Sequence, residues 1–353
     1  MKRHIAALLV LLLVAVSIPV GVTWAKYASS QNVTSDSGLG LKATAANQFT
    51  IDKYMMWNSL IELSQSTSPT AIKLCQGKDL PGGVTRQAYI EDSSLSNGQI
   101  GLYTSADEET VYIAPIGNKT AKMYAPVDCS DLFSMRETQC FGIKNLDLSN
   151  LDTSNATNLA NMFNENGDME TLVLGDFFDT QHVTDMSGMF EGCNNLKNVD
   201  VKNFKTQKVT NMKFMFSGCS NLNSLEVSGF NTQNVTDMSF MFSDCSGLTS
   251  LDVTNFVTSK VTTMSCMFWG CSSLRSLDVT KFDTSEVTDM GAMFGDCSGL
   301  TSLDVTHFVT SKATYMSAMF NGCSGLTNLD VTHFDTSKVT AMSDMFRDCS
   351  DLT

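Results

Sequence analysis

The chain is poor in proline, histidine and positive charge, and each shortage narrows what it can do. It has only 5 prolines and 4 histidines in 353 residues. Lys and Arg together number 23 against 37 Asp and Glu, which gives a formal net charge of −14. Such a surface repels nucleic acid and anionic lipid, so binding to a phosphate backbone is disfavoured.

Sequence motifs of catalysis are also missing. The chain has no G-x-S-x-G, H-E-x-x-H, Walker loop or C-x-x-C, and its frequent serines recur at repeated positions, which is typical of a scaffold. Paired carboxylates of the glycosidase type would need one shared pocket. We therefore expect no enzymatic activity, no catalytic residues and no cofactor. A surface hydrolase built on Ile51–Tyr124, which contains no histidine, is kept as a remote alternative.

The first 25 residues have the pattern of a secretory signal peptide. A basic start, Lys2 to His4, precedes the apolar stretch Ile5–Val16. Small residues at the −3 and −1 positions then favour cleavage after Ala25. The alternative is an uncleaved anchor, because apolar character continues to Val22. In both cases we expect the rest of the chain to lie outside the cytoplasm, with no membrane insertion beyond this segment.

Two regions separate the signal peptide from a long repeated region. Residues 26–50 are rich in Ser, Thr, Asn, Ala and Gly, which predicts a flexible linker. Residues 51–125 are predicted to form a small β-rich N-terminal cap, because "VTRQAYI", "QIGLYTS" and "TVYIAPI" have the composition of short strands separated by turns. Residues 126–353 form the repeat region.

A 26-residue repeat dominates the rest of the chain. One phenylalanine marks each copy: Phe133, Phe163, Phe190, Phe216, Phe242, Phe268, Phe294, Phe320 and Phe346. The repeat predicts about nine stacked units, here called rungs, because a single unit cannot bury its apolar face alone. The last copy stops before its strand half, and an open apolar end is normally capped, so we expect the native protein to continue beyond Thr353.

Each unit has two halves with different periodicity. In "LTSLDVTNF" the apolar residues follow the leucine-rich-repeat skeleton L-x-x-L-x-V-x-x-F, and the central L-D-V alternates as a short strand does. In "VTDMSFMF" Val235, Met238, Met241 and Phe242 fall on one face of about two helical turns. The expected fold is therefore an α/β solenoid, a leucine-rich-repeat-like stack of one short parallel strand plus one short helix per rung.

A cysteine recurs at the same position of the repeat. A buried, reduced ladder is favoured over disulfides, because parallel Cβ vectors on adjacent rungs suit the disulfide dihedral poorly and a buried thiol needs no partner. Zinc is disfavoured, since the thiols come one per rung. Cys129 remains open to pairing with Cys140 or Cys75. The predicted ladder consists of Cys140, Cys193, Cys219, Cys245, Cys271, Cys297, Cys323 and Cys349, with Asn166 in the same slot of one rung.

The outward position of the predicted strand carries one carboxylate per rung. We call this set the acidic column, and with its flanking serines it is the candidate binding surface. Neighbouring charges about 5 Å apart repel, so hydroxyl hydrogen bonds, salt, a weakly bound calcium ion or a basic partner must offset them. His307 and His333 occupy equivalent slots and are expected to be surface side chains rather than a metal pair. The column is Asp200, Glu226, Asp252, Asp278, Asp304 and Asp330, and the serines are Ser250, Ser276 and Ser302.

The repeat "VTxMSxMFxGCSxLxSLDVTxFxTS" resembles that of the BspA-like leucine-rich-repeat surface proteins. The lead-in "YAPVDCSDLFS" before "IKNLDLSNLDTSNATNLANMF" is similar to the one in that family, and the resemblance covers residues 120–353. It implies a cell-surface solenoid of Gram-positive or gut-associated bacteria, some of whose relatives take part in adhesion. It carries no catalytic residues to this chain.

Together these features predict a secreted or cell-surface bacterial protein that binds host or bacterial surface proteins or glycans without catalysis. The alternative is a structural spacer or extracellular matrix component whose solenoid surface is inert. The ligand, any anchor and the oligomeric state are not encoded in a recognisable pattern.

Overall fold

A computed structural model describes residues 49–50, 69–90, 100–115, 122–135 and 142–353, all in the compact unit Ala46–Thr353. The predicted signal peptide and Cys140 lie outside these residues, as does the predicted linker up to residue 48. A strand already occupies Phe49–Thr50. The predicted linker boundary at residue 50 is therefore too late by at least two residues.

Six strands form one sheet that joins the N-terminal region to the repeats. β2, β3, β4 and β5 span Ala71–Leu74, Thr85–Ile90, Ile100–Thr104 and Thr110–Pro115, and β7 and β9 span Asn145–Asp147 and Thr171–Val173. Their order is β3-β4-β5-β2-β7-β9, with β3, β4 and β5 antiparallel and the remaining pairs parallel. Strands are thus present at all three predicted segments, and β2 pairs directly with the first strand of the repeats.

A second, parallel sheet lies beside the first rungs. It contains β1 at Phe49–Thr50, β6 at Met123–Tyr124 and β8 at Leu151–Asp152, in the order β1-β6-β8. A 3-10 turn at Gly77–Asp79 follows β2. The cap region is therefore hydrogen-bonded to the repeats along both sheets.

The rungs stack in register around a column of phenylalanine rings. Rings on neighbouring rungs are stacked from Phe133 to Phe346, with centroids 5.3–6.0 Å apart. Single parallel β-bridges repeat along the same stack, from Asp128↔Asn158 to Tyr315↔Ala341. Phe242 and its equivalents on the inner rungs are fully buried. Apolar burial along this column holds each rung to the next.

The predicted helix in each rung is absent, and this is a correction. No described residue of the repeats is helical, and "VTDMSFMF" forms consecutive turns. Phe240 and Asp244 have positive φ, of 59° and 55°, which a right-handed helix cannot contain. Turns of this kind also bury Val235, Met238 and Met241, so the apolar spacing resembled that of a helix. The described residues also contain no helix long and apolar enough to span a bilayer.

The predicted strand half is only partly present. L-D-V segments form ladder strands in β7 and β9, whereas from Val199 onward the equivalent segments have no assigned strand. Their burial still alternates as expected, with Leu251 and Val253 8% and 1% exposed and Asp252 exposed between them. Side-chain packing rather than backbone pairing therefore fixes this half of the later rungs.

A column of buried threonines, which the sequence analysis did not single out, links the rungs at their corner. The hydroxyl of Thr258 donates to the carbonyl of Asp283 on the next rung (3.0 Å) and accepts its backbone N–H (2.7 Å). The same pairing starts from Thr180, Thr206, Thr232 and Thr284. Each of these hydroxyls satisfies two backbone groups that have no strand partner.

The repeated cysteines form a column of free thiols, all buried except the half-buried Cys349. Cys245 donates its S–H to the carbonyl of Phe216 on the preceding rung at 3.1 Å, and Cys193, Cys219, Cys271, Cys297, Cys323 and Cys349 make the equivalent contact. In the rung that lacks the cysteine, the amide of Asn166 donates to the carbonyl of Phe133 at 2.7 Å. Cys129 is also free and donates to Pro126. The thiol therefore has the same role as the amide, which is to satisfy a buried carbonyl.

The residue before each ladder cysteine from Cys193 onward has positive φ and, from Gly218 onward, alternates between Gly and Asp. Asp244 and Asp296 have φ of 55° and 54°, and Gly270 between them has φ of 72°. A Cβ atom at Gly270 would lie 2.5 Å from Oδ1 of Asp244. Burial, reinforced by the charge of Asp296 two rungs on, raises the pKa of Asp244. A larger residue at the next rung would have to displace the Asp carboxylate, so an Asp in this slot favours a Gly in the same slot of the next rung.

The threonine column predicts a specific loss of stability. Thr258→Val keeps the side-chain shape but leaves the N–H and C=O of Asp283 without their partner, so unfolding in urea should show a loss of about 2 kcal/mol. Thr262→Val is the control: its hydroxyl is exposed, and the carbonyl of Thr236 keeps the backbone N–H of Thr262. That variant should lie within about 0.5 kcal/mol of the wild type. Equal losses of unfolding free energy in the two variants would show that the buried hydroxyls contribute no more to stability than the exposed ones.

The buried thiol column predicts that its cysteines are reduced and unreactive in the folded protein. Burial raises the pKa of Cys129 and of Cys323 to about 12, and only the thiolate reacts quickly with a thiol reagent. In the native protein at pH 8, half-buried Cys266 and Cys349 should react first and the other ladder thiols hardly at all. In denaturant without reductant, all 11 cysteines should titrate. A smaller number would reveal disulfides and contradict the reduced ladder.

Candidate functional site

The acidic column lies on one exposed face of the stack. All six of its carboxylates and the three flanking serines are exposed, whereas the apolar residues on either side of each carboxylate are mostly buried. Asp147 of β7 occupies the same position in the first strand of the repeats and pairs with Lys73 of β2 at 3.0 Å. The predicted site residues are therefore brought together on one surface, which begins beside the cap region.

Each carboxylate in the later rungs closes a turn in its own chain. Oδ1 of Asp252 accepts the backbone N–H of Thr254 at 3.0 Å and its hydroxyl at 2.7 Å. Asp278, Asp304 and Asp330 make the same two bonds to the threonine two residues on. This is the turn chemistry of aspartate. One oxygen of each carboxylate is thereby committed to the fold, and the other faces solvent.

The first two carboxylates of the column are held differently. Asp200 accepts the backbone N–H of Lys202 at 3.2 Å, and its other oxygen pairs with the Lys202 ammonium at 2.8 Å. Glu226 accepts the backbone N–H of Ser228 at 3.1 Å and also the Ser228 hydroxyl. The charge of Asp200 is thus neutralised within its own rung, so the uncompensated part of the column lies further along the stack.

The hydrogen bonds to threonine offset the repulsion along the column. The Thr280 hydroxyl, followed by the Thr280 N–H, lowers the pKa of Asp278, and the threonines beside Asp252, Asp304 and Asp330 act in the same way. Neighbouring carboxylates raise the pKa of Asp252 and Asp304 by less than this. Asp252, Asp278, Asp304 and Asp330 therefore stay ionised at neutral pH.

A shallow open depression of about 480 Å³ lies over three rungs of the column. Its rim presents carboxylate, hydroxyl and amide groups, and two leucines contribute its apolar part. The lining residues are Ser276, Leu277, Asp278, Thr280, Ser302, Leu303, Asp304, Thr306, Asn328 and Asp330. Of the candidate residues, Ser250 and the three carboxylates before Asp278 lie outside the depression. Such a surface can bind an extended ligand that carries amino or hydroxyl groups.

The described residues contain no cluster of three or more His, Cys, Asp or Glu side chains that could hold a metal ion. Nε2 of His307 lies 2.9 Å from the carbonyl oxygen of Val279, and this contact holds the ring against its own stack. The histidines at 307 and 333 lower the pKa of Asp304 and Asp330 through their charge. Their contacts are those of surface side chains beside the acidic column.

A second cavity, of about 280 Å³, lies beside the second rung. It is lined by Met135, Gly142, Ile143, Glu165, Asn166, Gly167 and Asp168. No histidine, cysteine or serine is among these residues, and the amide of Asn166 is already bound to backbone carbonyls. The lining therefore lacks a nucleophile paired with a base.

The turn role of the aspartates predicts different effects for two substitutions at one position. Asp278→Ala removes the acceptor for both Thr280 groups and should lower the melting temperature, whereas Asp278→Asn keeps an oxygen there and should change it little. Because the folded pKa of Asp278 lies below its ordinary value of 3.8, the contribution of its charge is present at neutral pH and is lost as the pH falls through 3.8 and below.

The measurement is the melting temperature of the wild type and both variants between pH 7 and pH 2.5. The advantage of the wild type over Asp278→Ala should shrink across the acid range, while the difference between Asp278→Asn and Asp278→Ala stays nearly constant. A wild-type advantage that does not depend on pH would contradict a charged turn acceptor.

Comparison with known proteins gives one family. A family model described as "Mycoplasma protein of unknown function, DUF285" matches residues 157–252 and again residues 241–353. No curated protein and no solved structure matches the chain. The two matches overlap at residues 241–252 and together cover more than half of the sequence, within the stacked rungs that carry the phenylalanine, cysteine and acidic columns. The chain therefore belongs to the DUF285 family.

Proposed function

We propose that the chain is a non-catalytic leucine-rich-repeat-like solenoid of the BspA type, exported to a bacterial cell surface, that binds protein or glycan partners through its acidic column. The observation that carries this proposal is the depression over Asp278, Asp304 and Asp330. There, one oxygen of each carboxylate is free while the other fixes the position of the group. Binding groups held in this way lose little conformational freedom when a partner binds.

The chemistry of the depression defines the partner. Carboxylates that remain ionised attract lysine, arginine or amino-sugar groups, and the serine and threonine hydroxyls and the amide of Asn328 can exchange hydrogen bonds with a glycan or a peptide backbone. Because the polar groups recur once per rung, the partner should be extended along the stack. A basic peptide segment and an amino-sugar-containing glycan both have these properties, whereas an anionic polymer does not.

A structural role is the second candidate, and one observation favours it. Every carboxylate from Asp252 to Asp330 closes a turn, so the repeated Asp has a reason to be present even if nothing binds there. In that case the solenoid is a spacer or matrix component, and the purified chain should associate with itself or with nothing. The predicted signal peptide and the BspA-like resemblance support both candidates equally.

The test is binding of the purified chain to surface-coupled extracellular matrix proteins and to chitosan, a glycan of amino sugars. The triple variant Asp278→Asn, Asp304→Asn, Asp330→Asn removes three charges from the depression and keeps the turn acceptors, so affinity should fall by about tenfold while the melting temperature changes little. Binding of the wild type should also weaken as salt is raised, because the groups are exposed.

The matched control removes the same charge elsewhere. Asp283, Asp289 and Asp335 also accept a backbone N–H two residues on, at 2.9–3.0 Å, but none of them lines the depression. Their triple Asn variant should bind as the wild type does. Equal loss of affinity in both triple variants would show that binding depends on the net charge of the chain and not on the depression. No binding by the wild type, with sedimentation showing self-association or a monomer, would favour the structural role.

A further inference from the structure

A pair of stacked phenylalanines lies on the outward side of the turn segments, which are "VTDMSFMFSD" at 235–244 and its equivalents on the other rungs. The half-buried rings of Phe214 and Phe240 stack with their centroids 4.5 Å apart. Both residues have a φ of 59°, which is unfavourable for a bulky side chain. The fold does not require these rings, because the same slot holds Gly188, Ala292 and Ala318 on other rungs.

Trp269 is a second aromatic departure from the repeat in the turn segments. It is half-buried, and its slot holds Ser217 and Ser243 on the two preceding rungs. The indole reaches the next rung, where its Cδ1 lies 2.7 Å from the position that a Cβ atom of Gly295 would occupy. The absence of a side chain at Gly295 therefore gives the indole room to lie over that rung.

Two carboxylates without partners lie on the rungs on either side of the indole. Asp244 and Asp296 are exposed, and within the described part of the chain neither side chain forms a hydrogen bond or an ion pair. Asp244 leans over Gly270 and Asp296 over Gly322, two rungs or about 10 Å apart, with the indole of Trp269 over the rung between them. Burial, followed by the charge of Asp296, raises the pKa of Asp244. A cation between the two carboxylates would relieve their repulsion.

The chain already places one cation on an aromatic ring of the turn segments. Nζ of Lys213 lies 5.0 Å from the ring centroid of Phe214, within the range of a cation–π interaction. The ring face of Phe240 that points away from this pair borders the slot of Cys266, a much shorter and half-buried side chain. Aromatic surface and uncompensated negative charge thus occur together here, and both attract ammonium and guanidinium groups.

We propose that Trp269, flanked by Asp244 and Asp296, is a binding site for an arginine or lysine side chain of an extended basic peptide segment. The cation stacks on the indole, and basic groups on either side of it in the partner pair with the two carboxylates. Charge complementarity favours this occupant over a neutral glycan, because a sugar ring on the indole would leave both carboxylates unpaired. The site is separate from the depression, since no residue that lines the depression belongs to a turn segment.

The probe is a fluorescently labelled peptide that alternates glycine and three arginines, so that in an extended chain consecutive arginines are about 7 Å apart. Its binding to the purified full chain is measured by fluorescence anisotropy. The chain carries the triple Asn substitution of the acidic column, which removes the charges of the depression from the measurement. A matched peptide carries citrulline, which is uncharged, in place of each arginine. The arginine peptide should bind roughly tenfold more tightly than the citrulline peptide, and its affinity should fall as salt is raised.

Two further changes to this chain test the indole and the carboxylates separately. Trp269→Ser introduces the residue of the preceding rung, and the double variant Asp244→Asn, Asp296→Asn removes both charges while keeping the side-chain shape. Each should lower the affinity for the arginine peptide by about tenfold, and the melting temperature confirms that each variant is folded. The control is the double variant Asp283→Asn, Asp335→Asn, which removes the same charge outside the turn segments and should not change the affinity.

Several outcomes would overturn the proposal. Equal affinity for the two peptides would exclude recognition of charge, and equal losses in the two double variants would show an effect of net charge alone. An affinity within about twofold of the parent chain in Trp269→Ser would exclude the indole. Trp269-dependent binding of fully acetylated chitohexaose, a neutral glycan, without binding of the arginine peptide would assign the indole to sugar rings instead.

Discussion

Every rung of this protein leaves buried backbone groups that only the neighbouring rung can pair. Turn segments send alternate N–H groups to the next rung, and the later L-D-V segments form no strand ladder of their own. The threonine hydroxyls and the cysteine thiols then satisfy backbone groups that the turns leave over. Because an unpaired buried polar group is more costly than a typical hydrogen bond is favourable, register between rungs is strictly specified. This requirement explains why the same residues recur at the same positions in each rung.

The sequence carries enough information for the stacking but not for the local conformation. Phe242, Cys245 and Leu251 recur at fixed spacing and are all buried, so period and burial pattern indicate a stack with one apolar interior. The short helix was wrong because turns and helices place apolar residues on one face with similar spacing. The deciding signal is positive φ at two residues, four apart, in each rung from Asn161 onward, and Phe240 and Cys266 give no hint of it, since neither residue type prefers that conformation.

The acidic column shows how far a candidate site can be predicted without a structure. Its membership and exposure follow from alternation around L-D-V. The hydrogen bonds of the column cannot be predicted in this way. A buried valine separates each Asp from the threonine two residues on, and a strand prediction gives no reason to expect a bond between the two. The depression at Asp278, Asp304 and Asp330 could not be predicted from the sequence either, since nothing in the repeat distinguishes these rungs from that of Asp252. One residue type thus serves the turn through one oxygen and solvent or a partner through the other.

Because Asp and Gly alternate before the ladder cysteines, neighbouring rungs are not interchangeable when the gene gains or loses a copy of the repeat. Asp244 leans over Gly270, and a side chain at that glycine would collide with the carboxylate. Recombination between copies that set two Asp rungs side by side would bring a side chain against the carboxylate, whereas two Gly rungs in succession already occur at Gly192 and Gly218. Gain or loss of a single rung is therefore expected to be tolerated where it joins two glycines and disfavoured where it joins two aspartates, although the visible repeat is one rung long.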